Sequence, residues 1–121
     1  MPVPAHCVHY LEIITDDPEG TADFYARAYG WSFAPPDAAL GGARVGTLAD
    51  GSLCGVRAPM HDQERLLVRP YLRVDDIDAA VAKAVALGAR LAVEPMPLPG
   101  HGRIAIFFLG EIEQGLWEVG E

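Results

Sequence analysis

The sequence predicts an α+β domain made of two copies of one unit, in which a strand leads into a helix and about three further strands follow. Residues 10–15 alternate in side-chain character and lead through Asp16-Asp17-Pro18 into a helical pattern that ends at Gly30. The same order recurs from Asp75-Asp76, which stands 59 residues after the first Asp pair. A chain of 121 residues has room for one modest core, so both copies are expected to belong to a single domain.

The first unit has clear signals for a helix start and for a hairpin. Asp17 suits the N-cap because its carboxylate can accept hydrogen bonds from free backbone N–H groups. Pro18 suits the first helical position, where the missing N–H costs nothing. Asp50-Gly51 is a favoured hairpin pair. The predicted elements are a strand at about 8–15, a helix at 18–29 and shorter strands at 31–33, 43–49 and 53–58.

The second unit follows a polar linker at about 59–66. Three prolines and two glycines in residues 95–102 predict a loop there rather than regular structure. The other predicted elements are strands at about 67–74, 89–94, 103–109 and 115–119, with a helix at 77–87.

Composition excludes several classes of function. Acidic residues outnumber basic ones 17 to 9, which argues against nucleic acid as a partner, because phosphate binding needs clustered Lys and Arg. No apolar run is long enough to span a bilayer, and the first residues lack the pattern of a signal peptide, so we expect no membrane partner. Cys7 and Cys54 have no metal or redox spacing, so reduced thiols and a cytoplasmic location are expected.

Two stretches carry a resemblance to a known family. Asp16-Asp17-Pro18-Glu19 leads to Phe24-Tyr25 and Tyr29-Gly30-Trp31, and Pro99–Phe108 is followed by Gly115-Leu-Trp-Glu118. This order resembles the vicinal oxygen chelate superfamily, which includes glyoxalases, bleomycin- and fosfomycin-resistance proteins and extradiol dioxygenases. The resemblance implies two βαβββ modules, at about 8–58 and 67–119, whose curved mixed sheets surround a cup-shaped cavity. It also implies a homodimer.

The resemblance bears on whether a metal is held. In metal-dependent members, ligands come from the first strand of each module and from the last strand. The positions here are Tyr10, Arg69 and Glu118. Arg69 cannot ligate a metal because it has no acceptor, and a catalytic divalent ion needs about three protein ligands. No metal or other cofactor is therefore expected, and a divalent ion with Glu118 as a ligand is the alternative.

Three other arrangements could restore a metal or polar site. His9 could serve as a ligand if a bulge changed the register of the first strand. Glu12 and Glu118 could together form an oxygen-rich site for Mg²⁺ or Mn²⁺. His101 could swing from its Pro- and Gly-rich loop toward the cup.

The alternation of side chains along the strands also indicates which residues line the cup-shaped cavity, here called the cup. It places Tyr10 and Glu12 on one face of the first strand and Leu116 and Glu118 on one face of the last strand. Glu12 could form a salt bridge with Arg69 or Arg73, or it could act as a base or a ligand anchor. The candidate catalytic residues are Glu118 and Glu12, and the candidate ligand-binding residues are Tyr10, Glu12, Arg69, Tyr71, Glu118 and His101.

These observations lead to three functional hypotheses. The first is a homodimer of the bleomycin-resistance type that binds a small organic ligand without metal, for which a basic drug would suit the acidic chain. The second is a metal-dependent lyase or isomerase of the glyoxalase type, in which a metal polarises a carbonyl group and a carboxylate moves a proton. The third is a non-catalytic module that binds a partner protein.

Overall fold

The computed structural model describes residues 3–120. Its elements in chain order are β1 (Val8–Ile14), α1 (Pro18–Tyr29), a short 3₁₀ helix (Ala38–Leu40), β2 (Arg44–Thr47), β3 (Leu53–Arg57), β4 (Leu67–Arg73), α2 (Ile77–Ala86), β5 (Arg90–Leu98), β6 (Gly102–Leu109) and β7 (Ile112–Val119). The strands form one mixed sheet in the order β2-β3-β1-β4-β7-β6-β5. The α+β fold class predicted from the sequence is confirmed.

The sheet repeats itself about its centre. β1 pairs with β4 in the antiparallel sense, and each of these strands has a parallel neighbour from its own half, β3 and β7 respectively. Glu12 lies opposite Arg69, and Tyr10 lies opposite Tyr71, so the first strands of the two halves meet in the middle of the sheet. This pairing joins the two copies into one continuous sheet.

The two helix starts show the same repeat at atomic detail. The Asp17 carboxylate accepts a hydrogen bond from the backbone N–H of Gly20, and the Asp76 carboxylate accepts one from Ala79. The two capping residues are 59 positions apart, and so are the two donor residues. Each cap satisfies an N–H group that the helix leaves free. The prediction of Asp17 as an N-cap is confirmed.

Three sequence-based boundaries need correction. The loop predicted at 95–102 is wrong for its first half, because β5 continues to Leu98. Two prolines are tolerated there because β5 is an edge strand with irregular register, where some N–H groups need no partner. The strand predicted at 31–33 is reduced to a bridge between Phe33 and Gly46. β7 begins at Ile112 rather than at 115, after a turn in which Gly110 has φ +59°.

The helices cover one face of the sheet. Below α2, Ile77 packs in a buried cluster with Val74, Ala105 and Leu116. Beside α1, the buried side chains of Ile13, Cys54 and Val56 meet Tyr25 and Trp31. The other face carries a third buried cluster with Tyr10, Tyr71, Ile104, Ile106 and Trp117. No helix within residues 3–120 is long and apolar enough to cross a bilayer.

Candidate functional site

The face of the sheet without helices surrounds a cavity of about 520 Å³. Its size is in the range usual for small-molecule sites. Most of the wall is apolar, and one end is polar. The apolar part includes Leu40, Val93, Met96, Leu98, Ile104, Ile106, Phe108 and Trp117, and the polar part includes Glu12, Arg57, Glu64, Arg69 and Glu113.

Four of the six candidate ligand-binding residues lie together in this cavity. Tyr10 and Glu12 come from β1, and Arg69 and Tyr71 come from β4. Side chains two positions apart on a strand share a face, and the antiparallel pairing of β1 with β4 brings the two pairs side by side. The pairs therefore occupy the floor of the cup at the junction of the two halves.

Glu12 is the centre of the polar end. Only 8% of the residue is exposed, and its carboxylate accepts three hydrogen bonds. The donors are Arg57 Nε at 2.9 Å, Arg69 Nη1 at 2.5 Å and the Tyr71 hydroxyl at 2.9 Å. A carboxylate held by two guanidinium groups and a phenol has few free acceptor sites, so Glu12 is bound by the protein itself.

Two further carboxylates extend this network outward. Glu64 accepts two hydrogen bonds of 2.7 Å from Arg57 and one from the backbone N–H of Met60. Hydrogen bonds from Arg57 lower the pKa of Glu64 to about 2. On the other side, Glu113 accepts from Arg69 Nε. The charges therefore alternate along the polar end, from Glu64 to Glu113, and the exposed Arg65 pairs with Glu113 at 3.4 Å.

The two tyrosines of the cup are each packed over a glycine. A Cβ atom on Gly55 would lie 1.6 Å from the Tyr10 hydroxyl oxygen, and one on Gly115 would lie 2.3 Å from the Tyr71 ring. Both glycines are needed because each ring crosses the neighbouring strand at close range. Burial, followed by the charge of Glu12, raises the pKa of both tyrosines, so both hydroxyls keep their proton.

Glu118 points away from the cup, contrary to the expectation from the sequence. Its Oε2 accepts a hydrogen bond of 2.8 Å from the backbone N–H of Ile77, the first residue of α2. Leu116 and Glu118 do share a face, but it is the face that packs under α2, and Trp117 lines the cavity instead. A carboxylate is favourable at this position because the helix N-terminus has free N–H groups and positive partial charge.

His101 also lies outside the main cavity. Its Nε2 is 2.9 Å from Asp37 Oδ2, and its carbonyl oxygen accepts a hydrogen bond from the Trp117 indole. It lines a second, smaller cavity of about 190 Å³, which shares Tyr10, Leu40 and Trp117 with the main one. His101 therefore connects the loop before β6 to the segment around the 3₁₀ helix.

His9 occupies the irregular start of β1. The register between β1 and β4 shifts between Val8 and Tyr10, so the bulge considered from the sequence is present. The His9 ring packs edge-on against Trp117, with ring centroids 5.4 Å apart, and lines the smaller cavity. Burial and the charge of Arg73 lower the pKa of His9, which favours a neutral ring.

Three residues of the polar end were not predicted from the sequence: Arg57, Glu64 and Glu113. Arg57 comes from the end of β3, and its contact with Glu12 spans 45 positions in the chain. The repeat of 59 residues could not have indicated it, because it pairs Arg57 with Leu116, which packs under α2. Nothing in the local sequence of Glu64, which lies in the linker between the halves, signals its contact with Arg57.

Comparisons with known proteins agree with this architecture. A family model described as a glyoxalase-like domain matches residues 10–99. The chain is 32% identical over 96 residues to the provisionally named glyoxylase CFP32 of Mycobacterium bovis and of Mycobacterium tuberculosis. That match covers 78% of this chain and 37% of each mycobacterial protein, so the chain spans well under half the length of these curated relatives.

Solved structures resemble the fold at low sequence identity. Methylmalonyl-CoA epimerase from Mycobacterium tuberculosis superposes with a TM-score of 0.74 at 18% identity, covering 100% of this chain and 94% of that one. A variant of the Streptomyces coelicolor epimerase in complex with 2-nitronate-propionyl-CoA gives 0.73 at 17% identity, covering 98% and 100%. At this identity the likeness concerns the fold alone. With the family model covering most of its length, the chain belongs to the glyoxalase-like domain family of the vicinal oxygen chelate superfamily.

Proposed function

We propose that this protein binds a small organic molecule in its cup, and that it does so without a divalent metal. The observation that carries the proposal is the cavity of about 520 Å³, with apolar walls and one polar end. Such a combination is typical of ligand sites, in which apolar contacts supply affinity and a few polar groups fix orientation.

The donor set supports the metal-free part of the proposal. The first-strand positions that supply ligands in metal-dependent relatives hold Tyr10 and Arg69, and the inward position of the last strand holds Trp117. Within residues 3–120, no group of three His, Cys, Asp or Glu side chains is placed to bind an ion. A dication at Glu12 would also be repelled by the two guanidinium groups that bind this carboxylate. These residues do not fit the metal of the superfamily.

A metal-dependent lyase or isomerase of the glyoxalase type is the rival, and the name of the mycobacterial relatives favours it. Elemental analysis of purified protein, before and after dialysis against EDTA, separates the two. The metal-free proposal predicts less than about 0.1 divalent ion per chain and ligand binding that EDTA leaves unchanged. One tightly held ion per chain, with binding lost on its removal, would establish the rival.

The cup itself is tested by filling it. Ligands would be sought by thermal shift in a library of neutral aromatic ketones, aromatic carboxylates and aromatic amines, since a ligand that binds only the folded state raises its stability. Val93→Trp places a large ring in the cavity and should abolish the shift. Val85→Trp makes the same change on the exposed surface of α2 and should leave the shift intact. Equal shifts for both variants would place the binding site elsewhere.

We further propose a homodimer, which the resemblance to small superfamily members supports. Large apolar side chains are exposed on the sheet and at its turns, including Val68 at 55% and Ile112 at 63% exposure. Burial of such side chains against a second copy would be favourable. Light scattering coupled to size exclusion should give a mass near twice 13.0 kDa. A mass of one chain at every concentration would contradict it.

A further inference from the structure

Two polar groups in the cup have no protein partner within residues 3–120. Arg69 donates through Nε to Glu113 and through Nη1 to Glu12 and Tyr71, but its Nη2 makes no hydrogen bond. The Tyr10 hydroxyl makes none either, although 97% of the residue is buried, since its exposure is 3%. Both atoms keep some accessible surface, and both residues line the main cavity, while Tyr10 also lines the smaller one.

Buried polar groups are normally hydrogen-bonded, so two open donors in one cavity call for a partner. Tyr10 and Arg69 are equivalent residues of the two halves, since they are 59 positions apart, and they lie on neighbouring strands of the cavity floor. The guanidinium nitrogen can only donate, and the buried hydroxyl keeps its proton and can also donate. A ligand group that pairs with either donor must therefore present an acceptor atom, as a carbonyl oxygen does.

The charges around these donors restrict the ligand further. The network holds three carboxylates, on Glu12, Glu64 and Glu113, and two buried guanidinium groups, on Arg57 and Arg69. The exposed Arg65 pairs with Glu113 at its outer end. A ligand carboxylate at Arg69 would lie close to Glu12 and Glu113, which already bond to that guanidinium. A ligand ammonium would meet the Arg69 charge directly. A neutral acceptor avoids both repulsions in a site of low dielectric constant.

We propose that the cup selects neutral, largely apolar molecules that carry a carbonyl oxygen, and that the Tyr10 hydroxyl donates a hydrogen bond to this oxygen. The inference rests on the proposed function and names the chemical class of its ligand. The body of the molecule lies against the apolar wall that includes Trp117 and Ile106. A basic ligand, considered from the acidic composition, is disfavoured by this arrangement.

Four naphthalenes of nearly equal size test the chemistry. They are 2-acetylnaphthalene, 2-ethylnaphthalene, 2-naphthoate and 1-(2-naphthyl)ethylamine, with affinities measured by equilibrium dialysis. The neutral ketone should bind about fivefold more tightly than the hydrocarbon, as expected for one hydrogen bond from a neutral hydroxyl donor. It should also bind more tightly than the carboxylate and the amine. Tightest binding of either charged compound would overturn the proposal.

A pair of matched substitutions locates the donor. Tyr10→Phe removes a hydroxyl that has no hydrogen-bond partner in the described part of the chain, so it should reduce the preference for the ketone over the hydrocarbon by about fivefold. Tyr29→Phe removes a hydroxyl from a residue of α1 that is 62% exposed and should leave the preference unchanged. Urea unfolding of each variant verifies that the fold is retained. An unchanged preference in folded Tyr10→Phe would refute the role of Tyr10.

The outcome also separates this inference from the proposed function. If library ligands bind and Val93→Trp blocks them, but the ketone is not preferred, only the inference on ligand chemistry fails. If no compound of any class raises the melting temperature, the proposed function fails and the inference fails with it.

Discussion

Glu12 joins the two arginines of the buried network, so its loss should destabilise the fold. Glu12→Gln keeps the size of the side chain but replaces a carboxylate oxygen with an NH₂ group. The carboxylate is 11% exposed and accepts hydrogen bonds from two arginines and a tyrosine. An amide in its place turns an NH₂ group toward one guanidinium N–H, which loses its acceptor, although Arg57 keeps Glu64 and Arg69 keeps Glu113. A buried donor left unsatisfied in this way costs about 1–3 kcal/mol.

This loss is a substantial part of the stability of a small domain, which is on the order of 5–15 kcal/mol. The melting temperature should fall by roughly 5–12 °C. Urea unfolding, followed by the fluorescence of Trp31 and Trp117, measures the free energy directly. Glu19→Gln is the matched control, since Glu19 pairs with Arg44 at 3.1 Å but its side chain is 79% exposed, and its loss should cost less than about 1 kcal/mol. Equal, small losses for both variants would refute the buried network.

The remaining predictions concern pH, a helix cap and a close contact. The pKa of Glu64 is about 2 in the folded state and near 4.5 when unfolded, so its contribution is present above the unfolded value and is lost as pH falls from about 5 toward 2. Glu64→Gln should therefore flatten the stability profile in that window. Glu118→Gln should lower stability by about 1 kcal/mol because the backbone N–H of Ile77 is capped more weakly, and ligand affinity should not change. A large loss of ligand affinity would show that Glu118 contacts the ligand after all. Gly55→Ala should lower the free energy of unfolding by roughly 1–3 kcal/mol and weaken ligand binding, because the added methyl group displaces the Tyr10 ring. If the variant unfolds and binds ligand as the parent protein does, the contact between Gly55 and Tyr10 is contradicted.

Local signals were sufficient for the helices and for the repeat. The caps at Asp17 and Asp76 depend on neighbours three positions away, so the residues that define them are adjacent in the sequence. The alternation in β1 correctly grouped Tyr10 with Glu12, because a period of two is a property of the strand alone. β5 was less predictable, since prolines are compatible with a strand only at an edge, and edge position is set by the whole sheet.

The sequence by itself determined the duplicated α+β architecture and the sets of side chains that share a face, because both follow from short-range periodicity and capping. Only the tertiary structure decided whether a set of side chains faces the cup or the helices. It places Trp117 in the wall of the cup and Glu118 at the start of α2. It also decided that Glu12 is bound by Arg57 and Arg69, at separations of 45 and 57 positions. The physical reason is that contacts over such distances depend on how strands pair and which layer covers them, and strand alternation is the same whichever face is covered.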